Sequence, residues 1–116
     1  MNLYNYIATV QRVVDGDTLS ILIDLGFRIS WSANCRFAGV NTPELSSTVP
    51  ATKEAAYKAK AFVEDRIKPG DKIRIESHKL DKYGRPVAKI YYGKGYTNCI
   101  NEELIKEGLA IVYMAD

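Results

Sequence analysis

The chain has 116 residues, 47% hydrophobic and 26% charged, the mixture of an ordinary folded domain. We expect a single domain spanning residues 1–116, long enough to bury one core without disulfides or a structural metal. No apolar run approaches the roughly 20 residues that cross a bilayer, so no membrane role is expected. Met1-Asn2-Leu3-Tyr4-Asn5-Tyr6 lacks a basic stretch followed by an apolar one, so no secretory signal is read and the cytoplasm is the default location. Cys35 and Cys99 lie in no CxxC pair or Cys/His cluster, which argues against zinc and for two free, partly buried thiols.

The net charge of +2 conceals an asymmetry. Residues 53–94 hold twelve basic and six acidic side chains, while the flanking segments lean acidic. A basic middle third suits a polyanion, although charge runs are more often solvated faces.

In chain order, residues 3–14 are rich in β-branched and aromatic side chains and read as a strand. Asp15-Gly16-Asp17 is a turn, and Thr18–Leu25 alternates as a second strand. Asp24-Leu25-Gly26 suggests a hairpin into a third strand over about 28–40. Asn41-Thr42-Pro43-Glu44 then opens a polar loop, because proline cannot continue a ladder. Residues 51–67 are predicted helical, with Ala55, Ala59, Phe62, Val63 and Ile67 on one face, and Pro69-Gly70 ends the helix. Strands follow over 71–78 and 87–92, separated by the charged turn Asp81-Lys82-Tyr83-Gly84-Arg85. A short helix over 101–107 has Asn101 as its expected N-cap and Gly108 as its expected C-cap, and 109–114 is a short apolar tail. The fold class is α+β: a five-stranded Greek-key barrel with a helix between the third and fourth strands and a short C-terminal helix.

Three clusters carry possible chemistry. Asp15 and Asp17 flank a glycine at a turn, and hard cations want oxygens held on bent backbone. Arg36 stands in an otherwise uncharged strand that runs into Asn41, Thr42 and Glu44, and its fork could hold a phosphate. Lys82, Tyr83 and Arg85 combine cations with a ring on one turn, suited to phosphate and base. Each taken alone reads equally as a plain turn or a solvated loop. His78 reads as a surface residue, and Trp31 as packing or a sheet-face aromatic.

Together, DGDT, an arginine strand ending in NTPE, a helix, DKYGR and NEELIKEGLA, in that order over about residues 7–113, resemble the staphylococcal nuclease family. The resemblance implies an OB-fold-like barrel and a calcium-dependent endonuclease. Such an enzyme cleaves DNA and RNA, prefers single strands, and leaves 3′-phosphate ends. It implies Asp17, Asn41 and the Thr42 carbonyl as metal ligands, with Asp15 in the same pocket. Glu44 would bind or orient the attacking water, and Arg36 and Arg85 would grip the scissile phosphate. Lys82 and Tyr83 would contact the nucleotide, with Tyr113 approaching it.

Three departures stand out. Asn41 replaces an aspartate of the prototype, so the site has one negative charge fewer. The longer Asp17–Arg36 spacing implies an extended hairpin around Asp24–Arg28. The prototype's third helix has no counterpart, so the core is either less stable or completed by a partner chain. A catalytically inactive module of the same fold, binding nucleic acid or protein, is the alternative, and a monomer is the default state.

Overall fold

A computed structural model describes residues 4–77 and 79–113. The strands are β1 (Asn5–Asp15), β2 (Thr18–Gly26), β3 (Ile29–Phe37), β4 (Val40–Asn41), β5 (Lys72–Glu76), β6 (Val87–Tyr92), β7 (Asn98–Cys99) and β8 (Ile111–Val112). The helices are α1 (Pro50–Arg66) and α2 (Ile100–Lys106), with a single 3-10 turn at Lys94–Tyr96.

Alternation makes the barrel. Ala8, Val10, Leu19, Ile21, Ile73, Ile75, Ala88 and Ile90 point inward along β1, β2, β5 and β6 and form the core with Phe37, Val63, Ile100 and Leu104. The strands lie in the order β3-β2-β1-β5-β6-β7. A parallel contact between β3 and β6 closes the five long strands into a barrel, as the sequence predicts. That seam is short: Arg36 pairs with Val87, and Phe37 with Ala88.

The third strand is shorter than expected. It ends at Phe37, because Gly39 takes a positive φ of 74° and turns the chain. The next residues, Val40 and Asn41, pair instead with Val112 and Ile111, so the C-terminal tail contains a strand. The hairpin between β2 and β3 turns at Phe27 and Arg28, both at positive φ. His78 and Met114 lie outside the described residues.

The helix α1 covers the barrel through Ala56, Ala59 and Val63, with Ile67 just beyond; Ala56 rather than Ala55 is the buried alanine. Its approach leaves no space at Gly16, where an added Cβ would sit 2.7 Å from the Ala59 Cβ and 3.1 Å from the Thr42 hydroxyl. The helix α2 ends in a Schellman motif, with Gly108 N–H donating to the Ile105 carbonyl and Leu109 N–H to that of Leu104.

Asn101 is not the N-cap. The helix α2 begins one residue earlier, at Ile100, which places Asn101 inside the first turn with its side chain directed into the barrel seam. It is only 4% exposed. Its Oδ1 accepts the Ile90 N–H (2.9 Å), and its Nδ2 donates to the carbonyls of Ala38 (2.9 Å) and Ala88 (3.1 Å). Both cysteines are free and buried, and burial pushes the Cys35 thiol up to about 12. No helix among the described residues is long and apolar enough to cross a membrane.

Candidate nucleic-acid and metal site

The barrel seam assembles the site. Thr18 pairs with Arg36 across β2 and β3, so the Asp15–Asp17 turn lies beside Arg36. On the other side of the same residue, Arg36 N–H donates to the Pro86 carbonyl (2.9 Å), which brings in the loop carrying Lys82, Tyr83 and Arg85. Beyond β3, the β4–β8 pair and a bond from Tyr113 N–H to the Gly39 carbonyl (2.9 Å) bring Tyr113 to the same end.

Arg36, Asn41, Glu44, Lys82, Tyr83, Arg85 and Tyr113 line one cleft of about 620 Å³. Asp17 and Thr42 are bonded to it from beneath. Both are buried, Asp17 to 8% exposure. The Asp17 Oδ2 takes an ion pair from Arg36 Nη1 (3.2 Å) and the Thr42 N–H (3.1 Å), while Oδ1 accepts the Thr18 hydroxyl (3.2 Å). The second terminal nitrogen of Arg36 donates to Asn41 Oδ1 (3.1 Å). All ten residues singled out from the sequence therefore gather at one end of the barrel.

The two aspartates of the turn titrate as a pair. Burial pushes Asp15 up to about 6, reinforced by the hydrogen bond and charge of Asp17. Burial also works against an ionised Asp17. The hydrogen bond with Asp15, the charge of Arg36 and the Thr42 N–H outweigh it and hold Asp17 below the ordinary carboxylate range. Asp17 thus ionises first, and Asp15 follows at about 6.

Among the described residues no group of three or more His, Cys, Asp and Glu side chains is arranged to hold a metal. A cation here would draw on a mixed set of oxygens. An ionised carboxylate offers about four lone-pair sites; on Asp17 the Arg36 guanidinium, the Thr42 N–H and the Thr18 hydroxyl use three, and a cation would compete with Asp15 for the fourth. Among the described residues Asn41 Oδ1 is bonded only to Arg36, and Glu44 is exposed on the cleft wall. Carboxylate and amide oxygens without imidazole or thiolate fit calcium rather than zinc.

Sequence reasoning missed the anchor of Arg85. Its Nε pairs with Asp81 Oδ2 at 2.8 Å, and the other Asp81 oxygen accepts the N–H groups of Tyr83 and Arg85. Asp81 therefore shapes the turn and orients the guanidinium, leaving both Nη groups outside that ion pair. The i,i+4 spacing of Asp81 and Arg85 was the available signal. Lys79 and Leu80 also line the cleft and were not anticipated.

Comparison with known proteins identifies the family of the chain. Residues 34–116 match the family model described as staphylococcal nuclease homologue. An uncharacterized protein of Methanocaldococcus jannaschii is 36% identical over 97% of this chain and 61% of its own length. Thermonuclease of Staphylococcus intermedius is 36% identical over 87% of this chain and 56% of its own. Endonuclease YhcR of Bacillus subtilis is 32% identical over 93% of this chain but only 9% of its own. The chain thus spans less than two thirds of each of these relatives.

Proposed function

The chain belongs to the staphylococcal nuclease homologues, and from that premise we propose that it is a calcium-dependent phosphodiesterase that cleaves DNA and RNA, prefers single strands and leaves 3′-phosphate ends. One observation carries the proposal: two guanidinium groups and an exposed carboxylate share a cleft whose floor is an ionised, buried aspartate.

Phosphodiester hydrolysis must stabilise extra negative charge on the phosphoryl oxygens. Arg36 and Arg85 supply charge-assisted hydrogen bonds to them, from positions already set by Asp17 and Asp81. Preset donors cost little reorganisation as that charge develops. Glu44 is an exposed carboxylate on the cleft wall, in place to orient a water and take its proton. Calcium bound by Asp17, Asn41 and Thr42, with Asp15 alongside, would supply Lewis-acid stabilisation of the same phosphate. Lys82, Tyr83 and Tyr113 hold the rest of the nucleotide by charge and ring contact.

The test is degradation of single-stranded DNA with calcium and with excess chelator. Calcium-dependent cleavage is expected, and Glu44→Gln should lower turnover by about a hundredfold or more while substrate affinity stays near that of the unaltered protein. Tight binding with no cleavage under any divalent metal would overturn the enzymatic reading and leave a binding module.

Asn41 sets a second expectation. Calcium affinity follows the charge count of the ligands. Asn41→Asp should lower the calcium needed for half-maximal cleavage, about three- to tenfold, and tighten calcium binding in calorimetry to match. Unchanged binding in that variant would remove Asn41 from the ligand set.

A further inference from the structure

The β2–β3 hairpin outruns the core it is built on. One face carries Ser20, Asp24, Ser30 and Ser32, and the hydroxyls of Ser20 and Ser32 both donate to Gln11 Oε1 (2.8 and 3.0 Å). Leu22, 38% exposed, lies between Ser20 and Asp24 on that face, and the rest of the face is polar. The other face begins with Ile21 and Ile23, both buried, and continues into Leu25 and Trp31, which are 42% and 40% exposed. The apolar stripe therefore extends past the barrel wall without a covering element among the described residues.

A groove of about 240 Å³ lies along this stripe, walled by Tyr4, Tyr6, Leu25, Trp31, Leu80 and Pro86. Pockets for drug-sized ligands start near 300 Å³. This one is smaller, and it suits a single planar ring system. Among the described residues its lining contains no carboxylate, and its one charged member is Lys79. Lys79 and Leu80 also line the phosphate cleft, so the groove and the cleft adjoin at these two residues. An anionic chain laid in the cleft would pass cationic Lys79 and meet rings and aliphatic carbon immediately beyond it.

We propose that this groove is a base-binding subsite, taking a nucleobase of single-stranded nucleic acid beside the nucleotide whose phosphate sits in the cleft. The proposal rests on the reading of the cleft as a nucleic-acid site. It also gives a physical basis for single-strand preference. A paired base cannot splay out of its stack to enter the groove, whereas an unpaired one can lie against Trp31 and Tyr6.

Trp31 is the only tryptophan, so emission excited at wavelengths beyond tyrosine absorption reports on this groove alone. With chelator present, a short single-stranded DNA should quench or shift Trp31 emission. The same backbone with abasic residues, and inorganic phosphate, should not. In calcium, Trp31→Ala and Leu25→Ala should each raise KM for oligonucleotides about tenfold. Their kcat on a mononucleotide aryl ester, too short to reach the groove, should be unchanged, and Trp31→Phe should recover most of the loss. Equal responses to abasic and base-bearing DNA would overturn the subsite. So would emission that depends on protein concentration without DNA, which would assign the stripe to a second copy. The two readings fail separately. Base-dependent quenching without cleavage keeps the groove and removes the nuclease, while cleavage without base-dependent quenching keeps the nuclease and removes the groove.

Discussion

Arg36→Ala is expected to reduce cleavage of single-stranded DNA by about a hundred- to a thousandfold, the usual loss when one preorganised donor to a developing oxyanion is removed. The same change should destabilise the fold. Arg36 and Asp17 are both largely buried and pair at 3.2 Å, so alanine leaves an uncompensated carboxylate beneath the cleft. Breaking such a pair from one side costs about 3–5 kcal/mol. The two effects separate by experiment: single-turnover cleavage measured well below the melting transition reads the chemistry, and thermal unfolding in chelator reads the fold.

The sign of the pH dependence follows from Asp17. Its carboxyl titrates below the ordinary range in the folded chain, and Arg36 is one of the causes. A group with a depressed folded pKa adds stability above its unfolded pKa, near 3.9, and loses that contribution as pH falls through the folded value. Removing Arg36 takes away part of this contribution. The stability gap between the unaltered protein and Arg36→Ala should therefore be full at neutral pH and narrow below about pH 4. Arg36→Lys restores the charge without the fork and should recover stability more than activity. A folded Arg36→Ala protein keeping more than a tenth of the activity would remove this residue from the phosphate grip.

The second large effect is expected at Asn101. Its side chain bonds one backbone N–H and two carbonyls, on β6 and just past the end of β3. Asn101→Leu would leave the Ile90 N–H and the Ala38 carbonyl without this partner, while the Ala88 carbonyl keeps the Ala38 N–H. Each buried polar group left unsatisfied costs about 1–3 kcal/mol, and the costs are not additive. A loss of about 3–5 kcal/mol is expected. Against a total stability of about 5–15 kcal/mol, the variant would stand near the edge of folding at physiological temperature. Denaturant titration should show a lower midpoint with an unchanged slope. Asn101→Asp should be no better, because its second oxygen would face the Ala38 and Ala88 carbonyls. A loss under 1 kcal/mol in Asn101→Leu would show that water replaces the amide.

Asn101 also shows how far a local signal reaches. An asparagine ahead of Glu102 and Glu103 has the composition of a helix cap, and the same residue can serve as a buried cross-link. Only the start of α2 one residue earlier, at Ile100, decides between them. Arg36 presents the same ambiguity. In the sequence it is a lone cation in an uncharged strand, equally consistent with a solvated position. The structure buries it, gives it Asp17 and Asn41, and places Pro86 against its backbone. Tyr113 could not be registered from sequence, and the β4–β8 pair that positions it is only two residues long.

The residue types of the chemistry, the long strands, α1 and the turns that carry DGDT, NTPE and DKYGR were legible in the linear chain, because alternation, helical period and turn composition act within a few residues. Convergence was not. Asp17 and Arg36 meet across the β2–β3 hairpin, but Arg85 joins them only because β3 runs parallel to β6 for two residue pairs, a contact between segments some fifty residues apart. No local propensity encodes that contact. Barrel closure follows from the joint burial of side chains from every long strand, and it exists only once the whole core has formed.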